Sequence, residues 1–411
     1  MSRFFFSTVA LSAAMLILAP SHGQSQSSDD GKSVSHGQSQ KKAAGKSIFR
    51  FDTFGDEQLW TDVLQMQNVI KNVSPRTALS VGLKVDSDAL PEAVIDAIQA
   101  GQVNLDDPAV TVQLLKLNAV IGVIGKVVGA NNNLATIGIT CALCHTTVDN
   151  AVAPGIGHRL DGWPNRTLNV GAIISLSPAV VNKAPFQSWG PGKFDARFQI
   201  FNGKNIVSLN SFTVPVVIAP AFGLKGVGFE TYTGDGVISY WNNYVGVTQM
   251  GGHGSFSDPR IGISVKQMPD LVTPKLPALL QYQLGLKTPP PPEDSFNEEA
   301  ARRGKEVFNG AGGCARCHKP PLFTDVLSGP DPNVPFLHSP FEVGTEPVYA
   351  SRSATKMYRT TPLRALWQHP PYFHDGSAPD LLAVVNHYNT VFKLGLRDRQ
   401  KADLVEYLKT L

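Results

Sequence analysis

Apolar and polar positions divide the chain into stretches of different character. Residues 4–18 are an apolar run behind Arg3, followed by Ser21-His22-Gly23. The run is too short to span a bilayer comfortably, and the small residues suit the −3 and −1 positions of a cleavage site, so 1–23 is read as a signal peptide cut after Gly23. An uncleaved N-terminal anchor is the alternative, and both readings export the protein. Ser, Gln, Gly and Lys dominate residues 24–47, a composition that predicts a flexible leader, with the folded chain beginning near Phe49. Asp107-Pro108 marks a helix start, and the apolar stretch behind it predicts one helix to Val128, closed by Gly129 and the asparagines at 131–133. Because Lys116 and Lys126 lie within it, this helix reads as buried rather than membrane-spanning.

Asn202-Gly203 at the centre of 198–209 predicts a β-hairpin, a local insertion. The prolines at 289–292 interrupt any helix. Beyond them Asn297 can cap a helix with Glu298 and Glu299 in its first turn, and Ala300, Gly304, Val307 and Phe308 fall on one face. Leu404, Val405, Leu408 and Leu411 repeat at helical spacing from Asp398. The expected organisation is therefore a first domain over 48–287, a Pro-rich linker over 288–295 and a second domain over 296–411. The fold class is mainly α, with a small β-hairpin and loop-rich insertion.

Composition narrows the function classes. A chain of 411 residues with 42% hydrophobic and 17% charged residues, and no second apolar run of about 18, is neither disordered nor polytopic. The 36 basic residues exceed the 33 acidic ones by three and form no dense block, so no nucleic-acid footprint is visible.

An exported protein normally spends cysteines on disulfides. The four here instead make Cys141-Ala-Leu-Cys144-His145 and Cys314-Ala-Arg-Cys317-His318. Chance would give a Cys-x-x-Cys-His on the order of 0.001 times in a chain of this composition. In this pattern two thiols add across haem vinyl groups and the adjoining imidazole takes the iron from one side. Two covalent haems c follow, with Cys141, Cys144, Cys314 and Cys317 as attachment residues and His145 and His318 as proximal ligands. A zinc site would want four ligands around one metal, and a thioredoxin-like site has no need of the His.

Tyr358-Arg-Thr-Thr-Pro362-Leu-Arg364, Pro371-Tyr-Phe-His374-Asp-Gly-Ser377 and Asn386-His-Tyr388 together resemble the C-terminal haem domain of bacterial dihaem cytochrome c peroxidases. The resemblance runs from about Phe296 to Leu411 and takes in the methylamine-utilisation dihaem enzymes and, more loosely, rubber oxygenases. It implies two cytochrome c-like haem domains. It also implies that the distal ligand of the second haem lies fourteen positions beyond His374, at Tyr388, with His387 as competitor; relatives carry Met or Tyr there. Gly157-His158 and Trp163-Pro164-Asn165-Arg166-Thr167 are similar to the segment in which a His closes the peroxidatic haem and an Asn helps to hold calcium. Those matches make His158 a catalytic candidate and Asn165 a calcium candidate, the other calcium ligands being carbonyls near His369 and Pro371. A weak internal echo adds Met250 and His253 as further candidates for the first haem.

The expected function is an exported, periplasmic dihaem oxidoreductase, an enzyme of the cytochrome c peroxidase type. It would reduce hydrogen peroxide at the first haem with electrons from a small redox protein or another donor. The alternatives are a dihaem oxidase or oxygenase of an organic or protein substrate, and a non-catalytic electron-transfer cytochrome. No nucleic-acid partner and no stable membrane insertion after signal cleavage are expected.

Overall fold

The computed structural model describes residues 30–411. The expected signal segment and the start of the expected leader lie outside the described residues. The remainder of the leader is not loose chain: a helix covers Asp30–Phe51. Gly45 is buried on it, and a Cβ there would stand 2.0 Å from the Ala278 carbonyl oxygen. Glycine therefore lets this helix press on the helix Leu276–Leu284, and packing overrides a composition that reads as linker.

The helix expected from Asp107 to Val128 is a helix and a strand. Asp107 caps it and Pro108 opens it, but it spans Pro108–Lys116. Asn118 then turns the chain at φ 53, and Val123–Val128 pairs antiparallel with Asn133–Ile139. The reason lies in residue type: Val123, Ile124, Val127 and Val128 are β-branched and stiff at χ1, which suits a pleated surface better than a helix. Lys126 points outward in this hairpin, exposed between half-buried neighbours.

The expected hairpin around Asn202-Gly203 is present as Gln199–Phe201 paired with Ile206–Ser208. It is one of six two-stranded ladders among the described residues. The part before the proline run is therefore richer in short strands than a mainly α reading implies, and helices with loops make up the rest. No described helix is long and apolar enough to cross a membrane.

Apolar side chains collect in separate clusters. Leu59, Leu115, Ile137, Ile156 and Leu168 belong to one, and Phe49, Tyr244, Val272 and Leu279 to another. Val307, Phe308, Leu404, Tyr407 and Leu408 form a third, wholly beyond the proline run. A small fourth cluster joins Val216 to Tyr349, Ala350 and Tyr358 across that run. Residues 286–297 carry no helix or strand.

The third cluster is closed by two helices that behave as expected. Asn297 Oδ1 accepts from the Ala300 N–H at 2.8 Å, satisfying one of the orphan donors of the helix Glu298–Asn309. Its partner Asp398–Lys409 crosses at Gly304, where a Cβ would meet the Asp403 carbonyl oxygen at 1.9 Å. Close approach buries Phe308 to 1% exposure, worth about 1.5–3 kcal/mol of transfer free energy.

Candidate functional site

Backbone geometry, more than side chains, presents the two cysteine motifs. The hairpin 123–139 delivers the chain to Cys141, and Thr140 N–H is tied to the Gly122 carbonyl at 3.0 Å. Gly122 has φ 76, and a Cβ on it would fall 2.2 Å from the Leu143 backbone. Only glycine lets the strand lie this close under the short helix Ala142–His145. In the second motif Gly313, at φ 60, caps the turn Cys314–Arg316.

Both motifs open on one cavity, whose wall includes Cys141, Cys144, His145, Cys314, Cys317 and His318. All four cysteines are free of disulfide bonds. Burial pushes the Cys141 and Cys144 thiols up to about 12 and lowers His145 to about 4. His318 is lowered too, again by burial. Both imidazoles are therefore neutral at ordinary pH, the state in which a ring nitrogen can ligate a metal.

The two rings are oriented alike. His145 Nδ1 lies 3.1 Å from the Ala219 carbonyl oxygen, and His318 Nδ1 lies 3.0 Å from that of Phe323. With Nδ1–H donated to a carbonyl, Nε2 is left as the basic nitrogen, which is how ligating histidines are commonly fixed. The residues present therefore suit a covalent haem at each motif.

Tyr388 lies on the cavity wall, stacked on Phe392 with ring centroids 5.7 Å apart. Its hydroxyl has no hydrogen-bond partner among the described residues, and burial raises its pKa to about 12. His387 is turned elsewhere: its Nε2 meets the Val343 carbonyl at 2.9 Å, and it is not part of the wall.

His158 does not reach the cavity. Its side chain is 57% exposed and pairs with Asp149 at 2.8 Å, because the strand Arg159–Asp161 turns it outward beside the loop at 149–151. In this structure His158 and the first cysteine motif are therefore not brought together. His253 is likewise absent from the wall, with Nδ1 at 2.8 Å from the Pro269 carbonyl, whereas Met250 is buried and lines it.

Asn165 is buried and already committed. Its Nδ2 donates to the Gly82 carbonyl at 2.8 Å, and its Oδ1 accepts from Thr167 at 3.0 Å. The His369 carbonyl, a second expected calcium donor, accepts from Arg166 Nη2 at 2.8 Å. The Asn165 amide oxygen and the His369 carbonyl are thus each already engaged in a hydrogen bond within the chain.

No family model matches the chain. Two curated proteins are similar over part of it. Methylamine utilization protein MauG of Methylorubrum extorquens is 32% identical over 128 residues, covering 27% of this chain and 34% of that protein. Cytochrome-c peroxidase IdrP2 of Denitromonas iodatirespirans is 27% identical over 140 residues, covering 26% and 38%. Over the stretches they cover, these similarities support a likeness to dihaem cytochrome c peroxidase-like proteins. The chain spans about a third of the length of the curated relatives it matches. Among solved structures, hydrazine synthase of Kuenenia stuttgartiensis gives a TM-score of 0.31 at 23% identity, covering 52% of this chain and 76% of that one. A MauG-like protein associated with microbial copper homeostasis gives 0.27 at 20% identity, covering 35% and 55%.

The cavity wall also holds groups to which the sequence motifs assigned no role. Arg166, Arg359 and Arg364 face it with Glu230 as the single carboxylate. Arg359 pairs with Glu230 at 3.2 Å. Arg166 keeps Nε and Nη1 buried without partners, and burial lowers the pKa of both Arg166 and Arg364. Buried guanidinium donors without acceptors are costly, and haem propionates are acceptors of the required charge.

His374 sits on the same wall, with Nε2 2.9 Å from the Tyr358 hydroxyl, which itself donates to the Glu346 carbonyl at 2.7 Å. His338 packs beside Cys317 and Asp325, with Nε2 3.1 Å from Asp325 and Nδ1 2.9 Å from Glu342. Tyr358 and His374 were visible as motif residues without a role. Nothing in the spacing of His338 and Asp325 pointed to the second motif.

Proposed function

We propose that the chain is an exported dihaem c-type oxidoreductase that reduces hydrogen peroxide or a related oxidant. The observation that carries this reading is that two Cys-x-x-Cys-His segments face one cavity with both histidines held through Nδ1. Cys141, Cys144 and His145 would hold the first haem, and Cys314, Cys317 and His318 the second, each in its own half of the chain on either side of the proline linker. When bound, the haems supply the redox chemistry.

The chain's own residues then have definite tasks. The carbonyls of Ala219 and Phe323 fix the two imidazoles, which lowers the cost of ordering them on ligation. Arg166 and Arg364 neutralise propionate charge inside an apolar wall. Tyr388 offers a phenol oxygen to the second haem, and a phenolate in that place would favour the ferric state. Met250 is the sequence candidate left at the first haem. A small redox protein is proposed as electron donor, and the periplasm as the compartment.

A second reading, oxidation of an organic or protein substrate, is favoured by one observation, the placement of Tyr388 on the wall, together with the likeness to a methylamine utilization protein. The two readings separate on turnover: peroxide consumption driven by an artificial reductant alone supports the first. Consumption only with an organic substrate supports the second.

Maturation in a host that attaches haem c is the underlying test. The denatured chain should keep haem stain and the mass of two haems, and Cys314→Ala with Cys317→Ala should keep one. A mature chain that carries no covalent haem defeats both readings.

A further inference from the structure

A second cavity, of about 300 Å³, lies apart from the haem-motif wall and is lined by Arg197, Arg260, Arg352 and Lys356. No acidic side chain belongs to its lining. The carboxylates that balance the guanidiniums stand behind them: Asp235 pairs with Arg197, Asp195 with Arg352 at 3.2 Å, and Asp258 with Arg260 at 2.7 Å. Lys356 has no ion-pair partner among the described residues. Four cations therefore share three carboxylates, and the uncompensated charge is on the cavity side.

Hydrogen-bonding capacity points the same way. Arg197 is 3% exposed and the Arg352 side chain 5%, yet the Nε of each is buried without a partner. The two guanidiniums lie over one ring, 5.2 and 5.7 Å from the Tyr349 centroid. Bringing two like charges together and leaving donors of both unused is unfavourable unless an acceptor arrives.

We propose that this cavity binds a small oxyanion of the phosphate or sulfate type, either free or as the anionic group of a small molecule. Guanidinium and ammonium groups are the donors suited to such oxygens, and the cavity has room for more than a bare ion. Residues 197–263 supply one side and 351–356 the other, so the anion bridges segments from before and after the proline run. Tyr349, under the two guanidiniums, also lines the haem-motif cavity with its ring 6.0 Å from that of His374. An anion bound here lowers the positive potential next to that wall.

The test is calorimetric titration of the full haem-loaded chain with inorganic phosphate and with glycerol 3-phosphate, chloride being used to hold ionic strength constant. Lys356 is exposed and has φ 57, so Lys356→Asn removes the ammonium while keeping a residue that tolerates this backbone. Lys356→Asn and Arg260→Gln should each weaken binding about tenfold. Lys305→Asn, exposed on the helix Glu298–Asn309, should leave it unchanged. Tighter binding of glycerol 3-phosphate identifies the anionic group of a small molecule, and equal or weaker binding identifies the free ion. The proposal is overturned if neither probe binds, or if Lys305→Asn weakens binding as much as Lys356→Asn does.

Discussion

Replacing Gly304 by alanine is expected to destabilise the half that follows the proline run by about 2 kcal/mol. The added carbon would stand 1.9 Å from the Asp403 carbonyl oxygen and 2.8 Å from the Tyr407 Cβ. Atom pairs in contact sit at roughly 3.5 Å or more, so the crossing helices must part by more than about 1 Å. A gap of that size forfeits roughly a quarter to a half of each dispersion well across the seam. Phe308, Leu404, Tyr407 and Leu408 are buried at that seam. Overpacking usually costs about 1–3 kcal/mol, and the upper end applies because the obstacle is main chain. Alanine's better helix propensity returns about 1 kcal/mol. Amide hydrogen exchange across Asp398–Lys409 in the haem-loaded chain is the assay, and protection should fall roughly thirtyfold. Lys305→Ala, exposed in the same helix, should change it within about 0.5 kcal/mol. If Gly304→Ala loses no more protection than Lys305→Ala, the close crossing is not what holds these helices.

Tyr388→Phe should alter the optical and EPR spectra of the second haem and leave the first unchanged, while His387→Ala, whose ring serves the Val343 carbonyl, should alter neither; the reverse pattern transfers the ligand to His387. At the surface, the hydrogen bond from His158 to Asp149 raises the His158 pKa. The pair's stabilisation is therefore complete below the ordinary value near ~6.5 and fades as pH rises through the folded value. An NMR titration should place the His158 midpoint above that of a free imidazole and Asp149→Asn should bring it back, whereas a midpoint at or below ~6.5 rejects the pairing.

Legibility in the sequence followed the range of the interaction responsible. The cap at Asn297 and the Asn-Gly hairpin at 202–203 are local signals, and the structure has both where their spacing put them; the two cysteine motifs, equally local, line one cavity. The misread helix at 107–128 failed for a local reason given too little weight: β-branched residues after Asn118, with Gly122 free to take a positive φ, favour a strand. The outward turn of His158 was not legible, because similarity of a short segment says nothing about which way a strand turns its side chains. Arg166 stood in a motif without a role, and His338 and the cluster of Arg197, Arg260, Arg352 and Lys356 had no signature at all. Their partners are as much as 203 positions away, as for Arg166 and His369, and only the folded chain brings them together.

The shared cavity of the two motifs has a consequence for how such a chain matures. Its wall draws on residues near 139–145, 216–232, 358–374 and 381–408, so no single stretch encloses it and no portion reaches its final interior alone. The interior is therefore completed only when distant parts of the polypeptide meet, and until then its apolar lining is open to proteases and to aggregation. Severing the molecule at its proline run would yield two half-shells, each lacking the opposite wall. For anyone wishing to produce it, the practical unit is the uninterrupted polypeptide.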